Sequence, residues 1–242
     1  MRIYIDESGV FKLEPYKHSS VSCITALIVP NALEKELVCA FNQWKLLPSL
    51  QNKKNKLDEI KGSTLDEKEI SSLLLLLSKF DLTTEVVCID TGTTTKSDVS
   101  QHKQELSTNF SNSKTGAKVN HQFNKNVLMF LPDQLYLQGL LFYQLVNEVL
   151  KQSIPYYVQR FPKDLGSFNW FIDAKNKCIT EYEKILTHLV MPFLQAINHE
   201  NPSYYLIGED YSAFSKYLIS EKCLSGGKGF FSINEIMKNL SF

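Results

Sequence analysis

The sequence predicts a mixed α/β fold with helices on both faces of one sheet. Short apolar runs of strand length alternate along the chain with longer segments whose apolar residues recur at helical spacing. In addition, a chain of 242 residues of which 43% are hydrophobic can bury one full core. We therefore expect residues 1–242 to form a single domain.

The N-terminal part of the chain predicts a pair of strands followed by a helix. Ile3–Asp6 and Val21–Val29 are strand-like runs joined by a polar link, and an antiparallel pair is the simplest arrangement for them. Asn31 follows the second run and is a suitable N-cap for a helix that continues to Pro48. The lysine-rich segment Gln51–Lys56 is typical of a solvated loop.

The middle of the chain predicts two helices on either side of a strand. Asp66 precedes a helix whose five consecutive leucines, Leu73–Leu77, require contact on more than one side, so we expect this helix to be buried against the sheet. The run that ends at Asp90 predicts a strand. Residues 91–126 are rich in polar side chains and indicate an exposed loop or a small insertion. A helical stretch with a wide apolar face follows at residues 132–152.

The C-terminal part predicts two more strands and two helices. Phe168–Asp173 and Tyr204–Ile207 are apolar runs of strand length, and Thr180–Asn198 between them has helical spacing. His188 lies among Leu and Val in that helix, so we interpret it as a core side chain. A glycine-rich turn and a short helix at Ile233–Leu240 complete the predicted elements.

Three of the predicted strands end on the same dipeptide, Ile-Asp, which places a carboxylate at the end of each run: Asp6, Asp90 and Asp173. In open α/β sheets, ligands bind outside the carboxyl ends of the strands. Carboxylates that converge there repel one another unless a hard divalent cation neutralises them, so we predict a site for Mg²⁺ or Mn²⁺. The alternative is that each Asp only begins a turn or caps a helix, where Asp is a preferred residue.

The charge balance leaves the kind of partner open, whereas the hydropathy pattern restricts the location of the protein. The 26 basic residues balance the 26 acidic residues, so no global positive field indicates nucleic acid, although local basic patches are compatible with it. The chain begins directly with a strand-like run, and no apolar stretch approaches the roughly 20 residues that span a bilayer. We therefore expect neither secretion nor a membrane partner.

The cysteines predict a reducing compartment. The five are far apart and none forms a C-x-x-C pair, and several lie in apolar runs where a free thiol packs as a small hydrophobe: Cys23, Cys39, Cys88, Cys178 and Cys223. We therefore expect a cytoplasmic protein.

The hexapeptide Tyr4-Ile5-Asp6-Glu7-Ser8-Gly9 resembles the signature of the family known as domain of unknown function 3800, whose members open on a strand with this motif. Glu59-Ile60-Lys61-Gly62, the strand that ends at Asp173 and the order of elements extend the resemblance over most of the chain. The resemblance implies a ribonuclease H-like fold, in which a mixed sheet of about five strands carries acidic residues at one edge to bind two divalent ions.

The resemblance also implies a metal-dependent nuclease that acts on RNA or DNA. Two divalent ions would activate a water, hold the scissile phosphate and stabilise the leaving oxygen. Asp6 would bridge the ions from the central first strand, with Asp173 opposite it. Glu59 would add a third ligand from beside the sheet, and Asp90 a further one from the strand adjacent to the first.

Other residues of the two motifs have expected roles outside the metal site. Glu7 points to the opposite face from Asp6, since side chains alternate along a strand, so we expect it to pair with a lysine or cap a turn. Ser8 and Gly9 shape the turn, Gly9 by tolerating positive φ. Lys61 could contact a phosphate, but beside a lysine-rich loop it is more typical of a solvated side chain.

One departure from the family leads to a second hypothesis. Relatives continue past a segment like Phe231–Leu240 into an acidic segment that supplies the last metal ligand, whereas this chain ends at Phe242. Either the protein is truncated, or Glu209 and Asp210 substitute, or the site is incomplete. In the last case the chain is an inactive scaffold that binds nucleic acid or a protein partner through the variable region Thr91–Asn126. An unfinished sheet edge at Leu240 and Phe242 would also favour pairing with another chain, including a second copy.

A third hypothesis rests on Asp90-Thr-Gly-Thr-Thr-Thr-Lys96, which resembles the phosphate-binding turn of sugar kinases and actin-like ATPases. Gly92 and the successive hydroxyls could cradle a phosphate through backbone N–H groups. In those proteins the turn lies between the first two strands of a hairpin. Here a predicted helix precedes the motif and a polar segment follows it.

Overall fold

Five strands form one mixed sheet in the computed structural model, which describes residues 1–13, 20–55, 58–112, 128–173, 203–218, 228–229 and 231–241. The sheet has the order β3-β2-β1-β4-β7. A separate two-stranded sheet pairs β5 with β6. The strands are β1 Arg2–Ser8, β2 Val21–Val29, β3 Thr83–Asp90, β4 Asn169–Ile172, β5 Ser203–Tyr204, β6 Lys228–Gly229 and β7 Asn239–Ser241.

Strand directions in the large sheet follow from the pairings. β2 is antiparallel to both β1 and β3, whereas β4 is parallel to β1 and β7 is parallel to β4. Therefore β1, β3, β4 and β7 run in one direction and β2 alone opposes them. The order and the directions are consistent with ribonuclease H-like topology, so the predicted fold class is confirmed.

The described helices lie between the strands in sequence: α1 Glu34–Trp44, α2 Pro48–Gln51, α3 Glu67–Leu77, α4 Lys96–Asn112, α5 Asp133–Val158 and α6 Ile233–Ile236. Among the described residues, no helix is both long enough and apolar enough to cross a membrane.

Helix α5 covers one face of the sheet, which we call the inner face. Alternate residues of β1 and β2 point into it and are buried, among them Ile3, Ile5 and Ile24. They belong to one core with the apolar stripe of α5, formed by Leu141, Phe142, Leu145, Val146 and Val149. Burial of this stripe stabilises the long helix, which continues six residues beyond the predicted end at Gln152.

The C-terminal part of the chain joins the same inner-face core. Phe168, just before β4, contacts the rings of Phe214 and Tyr217 at centroid distances of 6.2 and 5.6 Å. The indole of Trp170 in β4 donates to the backbone oxygen of Ile236 at 3.0 Å. These contacts hold the last strands against the centre of the sheet.

Two predictions for this part are corrected. The predicted strand Tyr204–Ile207 is limited to Ser203–Tyr204, and the predicted helix Ile233–Leu240 ends at Ile236. The chain then forms β7, because parallel pairing with β4 outweighs the helical pattern there. The predicted helix Thr180–Asn198, including His188, lies outside the described residues.

Helix α3 is capped as predicted but is not buried against the sheet. The carboxylate of Asp66 accepts from the backbone N–H of Glu69 at 2.9 Å, and the Glu69 carboxylate accepts from the N–H of Asp66 at 2.8 Å. However, Leu74 and Leu75 are 60% and 66% exposed. The helix packs against α1, where the indole of Trp44 donates to the hydroxyl of Ser72 at 2.8 Å.

Two predicted loops are more ordered than the sequence indicated. Lys53, expected to be solvated, forms an ion pair with the buried carboxylate of Glu69. Part of the segment 91–126 forms helix α4, whose first turn is capped by Thr95 and Asp98 through hydrogen bonds of 2.8 and 3.2 Å. Residues 113–127 lie outside the described residues.

The cysteine interpretation is also corrected. Cys23 and Cys88 form a disulfide, and Cys39 is a free thiol that is exposed, so none of the three packs as a buried hydrophobe. Cys178 and Cys223 lie outside the described residues.

Candidate functional site at the carboxyl ends of β1 and β4

Asp6 lies in β1, and Asp173 directly follows β4, the neighbouring parallel strand. The register pairs Tyr4 with Phe171 and Ile5 with Ile172, so one more residue places Asp6 beside Asp173. Adjacent strands are about 4.8 Å apart. Tyr4 and Phe171 are stacked with ring centroids 5.1 Å apart, which supports the same register on the face of the sheet that carries both carboxylates. We call this face, opposite to α5, the outer face.

A pocket of about 200 Å³ opens where β1 and β4 end. Its lining residues are Ile5, Asp6, Glu7, Gly9, Ile172 and Asp173. The pocket lies at the carboxyl ends of these two neighbouring parallel strands. This is the position at which open α/β sheets bind ligands.

The conformation of the β1 end follows from its sequence. Gly9 has φ of +104°, which an L side chain rarely adopts. Phe11 then turns its ring into the core, and its backbone N–H donates to the hydroxyl of Ser22 at 3.1 Å. The predicted role of Gly9 in the turn is therefore confirmed. The turn ends the strand directly after the acidic pair and leaves Asp6 exposed at the pocket.

Asp90 is not brought together with Asp6. The prediction placed its strand next to β1, but β2 lies between β3 and β1. In the register of the sheet, Asp90 is level with the position four residues beyond Asp6, and Val86 is the residue level with Asp6. Four residues along the strand and two strand spacings across separate the two Cα atoms by about 16 Å. One metal ion cannot bind both carboxylates at this distance.

The Asp90 carboxylate instead organises the turn after β3. It accepts from the hydroxyl of Ser20 and from the backbone N–H of Gly92, the latter at 2.9 Å. The Ser20 hydroxyl is the main cause that holds the pKa of Asp90 below its ordinary value, with the N–H of Gly92 next. The hydroxyls of Thr93 and Thr94 donate to the Asp90 backbone oxygen at 3.3 and 2.8 Å. The groups proposed to cradle a phosphate thus bond within the turn.

Glu59 is placed on an exposed loop. Its carboxylate accepts from the side-chain amide of Asn55 at 2.6 Å, and its backbone N–H donates to the same side chain at 3.0 Å. It is not among the residues that line the pocket. Lys61, two residues later, is exposed, as predicted.

Glu7 is the pocket residue whose role the sequence did not predict. Alternation turns its side chain away from Asp6, as expected, and toward helix α5. The amide of Gln138, an almost fully buried side chain of α5, donates to the Glu7 carboxylate at 3.3 Å. A buried Gln on an otherwise apolar helix face was the available signal, because a buried amide needs a polar partner.

The remaining acidic candidates, Glu209 and Asp210, lie in a turn. The hydroxyl of Ser212 is the main cause that holds the pKa of Asp210 below its ordinary value, and the backbone N–H of Ser212, which donates to the Asp210 carboxylate at 2.9 Å, is the next. Neither residue lines the pocket at the β1 and β4 ends.

The carboxylate oxygens of the pocket suit a hard cation in number and type. They do not enclose the ion completely, as a closed cage of protein ligands would. Mg²⁺ usually keeps several waters and binds through one or two carboxylates together with substrate phosphates. Asp6 and Asp173 provide two such carboxylates in one pocket. Across the part of the chain that the structure describes, no group of three or more His, Cys, Asp and Glu side chains converges on one point.

Comparison of the chain with protein-family models, with curated proteins and with solved structures finds no match.

Proposed function

We propose that the protein is a divalent-metal-dependent phosphodiesterase that cleaves RNA or DNA, with Asp6 and Asp173 as its metal ligands. The observation that carries the proposal is the register of β1 and β4, which brings these two carboxylates to one pocket in a sheet of ribonuclease H-like topology. A bound Mg²⁺ or Mn²⁺ would activate water and stabilise the leaving oxygen of a phosphodiester.

The residues of the pocket have distinct roles in this proposal. Asp6 and Asp173 bind the cation through oxygen atoms that solvent can reach. Glu7 faces α5, so it acts as a positioning residue: its hydrogen bond with Gln138 fixes the end of β1 and with it the backbone that carries Asp6. Glu59 and Asp90 have no part in binding the cation.

Metal binding is tested by thermal unfolding during titration with Mg²⁺ and Mn²⁺. An ion that binds only the folded chain raises its stability by mass action, so the melting temperature of the wild-type protein should rise with metal concentration. The rise should disappear in Asp6→Asn and in Asp173→Asn. Asp90→Asn is the matched control, since it removes a carboxylate from the end of a parallel strand about 16 Å away, and it should keep the wild-type response.

Cleavage is tested with single-stranded and duplex RNA and DNA in the presence of Mg²⁺ or Mn²⁺. Substitution of residues around metal ligands often reduces activity 10- to 100-fold, so loss of a direct ligand in Asp6→Asn should lower the cleavage rate about 100-fold or more. Full cleavage by Asp6→Asn would show that the proposed site is wrong.

One observation favours the second candidate function, an inactive scaffold. Only two carboxylates meet on the outer face within the described ranges, fewer than a site for two ions would use. In that case the protein binds nucleic acid or a protein partner, including a second copy of itself, without cutting. Binding that survives in Asp6→Asn, with no cleavage by the wild-type protein, would support this function.

We also propose a cytoplasmic location. Disulfides in that compartment are usually transient, whereas secreted proteins keep them as permanent crosslinks. A transient Cys23–Cys88 disulfide would fit the cytoplasm, whereas a permanent one would fit secretion.

A further inference from the structure

Two cysteines are joined across neighbouring antiparallel strands. Cys23 of β2 and Cys88 of β3 are direct partners in the register, with Cα atoms 4.1 Å apart. This spacing matches the pairs of an antiparallel ladder that exchange no backbone hydrogen bonds, in which the Cα atoms are about 4.5 Å apart and the side chains are close. The sheet itself therefore brings the two sulfur atoms together.

The pair is accessible from the outer face of the sheet. Cys88 is exposed and Cys23 is half-buried. On its other side, Cys23 is the register partner of Ser8 in β1. Thr25, two residues further along β2, is the register partner of Asp6. A thiol in solution can thus approach the Cys88 sulfur without unfolding the sheet.

The two strands are joined by contacts other than the bond between these residues. β2 and β3 are paired over eight residues, from Val21 opposite Asp90 to Ile28 opposite Thr83. From the inner face, the hydroxyl of Tyr157 donates to the backbone oxygen of Ile28 at 3.1 Å and lies 3.2 Å from the hydroxyl of Thr83. These contacts hold the two strands in register whether or not the sulfur atoms are bonded.

We propose that Cys23 and Cys88 are a reversible redox pair that exchanges with a dithiol reductant, and not a permanent crosslink. Exposed disulfides belong to the labile class, whereas permanent disulfides resist reduction. This proposal does not rest on the proposed nuclease function, because neither sulfur atom belongs to the metal pocket.

The exchange has two steps. A thiolate of the dithiol attacks the Cys88 sulfur, the disulfide breaks, and the Cys23 sulfur leaves as a thiolate that takes up a proton. The second thiol of the dithiol then attacks the mixed disulfide, which releases Cys88 as a thiol. Two electrons and two protons pass to the protein, and the dithiol becomes a cyclic disulfide. The reverse exchange with a disulfide donor restores the bond, since the sheet keeps both thiols adjacent.

The test is differential alkylation of the native wild-type protein without denaturant. The protein is equilibrated with graded ratios of reduced to oxidised dithiothreitol, labelled with a thiol reagent and analysed by peptide mass spectrometry. Cys23 and Cys88 should become labelled together in a single transition, lose the label together on return to the oxidised ratio, and leave the circular dichroism unchanged. Cys39, an exposed free thiol, should be labelled at every ratio and is the internal control.

Three outcomes would overturn the proposal. Labelling that begins only after urea unfolds the chain would identify a permanent crosslink. Labelling of both cysteines at the most oxidised ratio would show that the bond does not form. In Cys23→Ser, Cys88 should be labelled at every ratio; protection of Cys88 there would show that its true partner is another cysteine.

Discussion

Gly9 ends β1 in a backbone conformation that selects glycine. Its φ is +104°, and a Cβ atom added to it would lie 2.5 Å from the hydroxyl oxygen and 2.7 Å from the Cα of Ser22. Ser22 is almost fully buried, and its hydroxyl accepts from the N–H of Phe11, a residue with φ of +53°. A side chain at Gly9 would therefore disturb both the turn and the packing of Phe11.

We predict that Gly9→Ala lowers the free energy of unfolding by about 1–3 kcal/mol, because the strained φ and the contact with the Ser22 backbone act together. Urea denaturation followed by circular dichroism measures the change. Gly62→Ala is the matched control: Gly62 has no neighbour within 4 Å of an added Cβ and no positive φ, so its stability should change by less than about 1 kcal/mol. Equal stability of both variants with the wild type would contradict the role assigned to Gly9.

The Ile-Asp dipeptides illustrate what a local pattern can predict of the site. Asp6 and Asp173 reach one pocket, as the pattern and the resemblance predicted, whereas Asp90 has the same local sequence and bonds within its own turn. The difference depends on which strands are neighbours. Ser20, the residue that fixes the Asp90 carboxylate, lies 70 residues away in sequence, so no local signal at Asp90 indicated its role.

At the scale of elements, helix α4 docks on the start of α5 through a buried charge. Lys103 is only 4% exposed, and its ammonium donates to the Asp133 carboxylate at 2.9 Å and to the Leu131 backbone oxygen at 2.7 Å. The same ammonium lies 5.1 Å from the ring centre of Tyr136. Asp133 is the first residue of α5, where a negative charge also interacts favourably with the helix dipole.

We predict an asymmetry between the two partners of this ion pair. Asp133→Ala should lower the free energy of unfolding by about 3–5 kcal/mol, because it leaves a buried ammonium without its counter-charge. Lys103→Met should lower it by less, since Met fills a similar volume and the half-exposed Asp133 carboxylate can still be hydrated. Urea denaturation of both variants measures the two values.

The double variant Lys103→Met/Asp133→Ala is the control for this prediction. Once Lys103 is replaced by Met, Asp133→Ala should lower the free energy of unfolding far less than it does when Lys103 is present. The double-mutant cycle should therefore give a coupling energy of at least about 1 kcal/mol. Additive effects would contradict the inference that burial of Lys103 makes the pair asymmetric.

The elements that the sequence predicted best are those with a strong period. The β1–β2 pair alternates buried and exposed residues, and α5 carries a continuous apolar stripe, so both were predicted. Helix α4 has a mostly polar sequence and buries only a few side chains such as Val99, which left no clear stripe to detect. The five leucines of α3 suggested contact on more than one side and burial against the sheet. The sequence does not reveal that much of their surface stays exposed, as at Leu74 and Leu75.

At the scale of the molecule, the resemblance implied a mixed sheet of about five strands but not the order of those strands, and the strand that ends at Asp90 was wrongly expected next to β1. Pairing of β1 with β4 joins residues more than 160 positions apart, such as Tyr4 and Phe171, and leaves no mark on the sequence near either strand. The short strand β7 was missed for the same reason, because its three residues are fixed by pairing with β4 and not by their own pattern.

The inner-face core also determines how the stability of the whole molecule depends on pH. Helix α5 carries three tyrosines with raised pKa values. Burial is the main cause in each case, and it raises the pKa of Tyr143 and Tyr157 to about 12. The pKa of Tyr136 is raised as well. An unfolded chain releases these protons near pH 10, the ordinary pKa of tyrosine, whereas the folded chain keeps them.

The free energy of unfolding should therefore fall as the pH rises from 10 to about 12, because the folded state binds more protons than the unfolded state in that window. Urea denaturation at a series of pH values measures the slope. In Tyr143→Phe/Tyr157→Phe the slope should be shallower, even though loss of the Tyr157 hydrogen bond to Ile28 lowers stability at pH 7. An unchanged slope in this variant would mean that these two hydroxyls are not the groups whose protons the core retains.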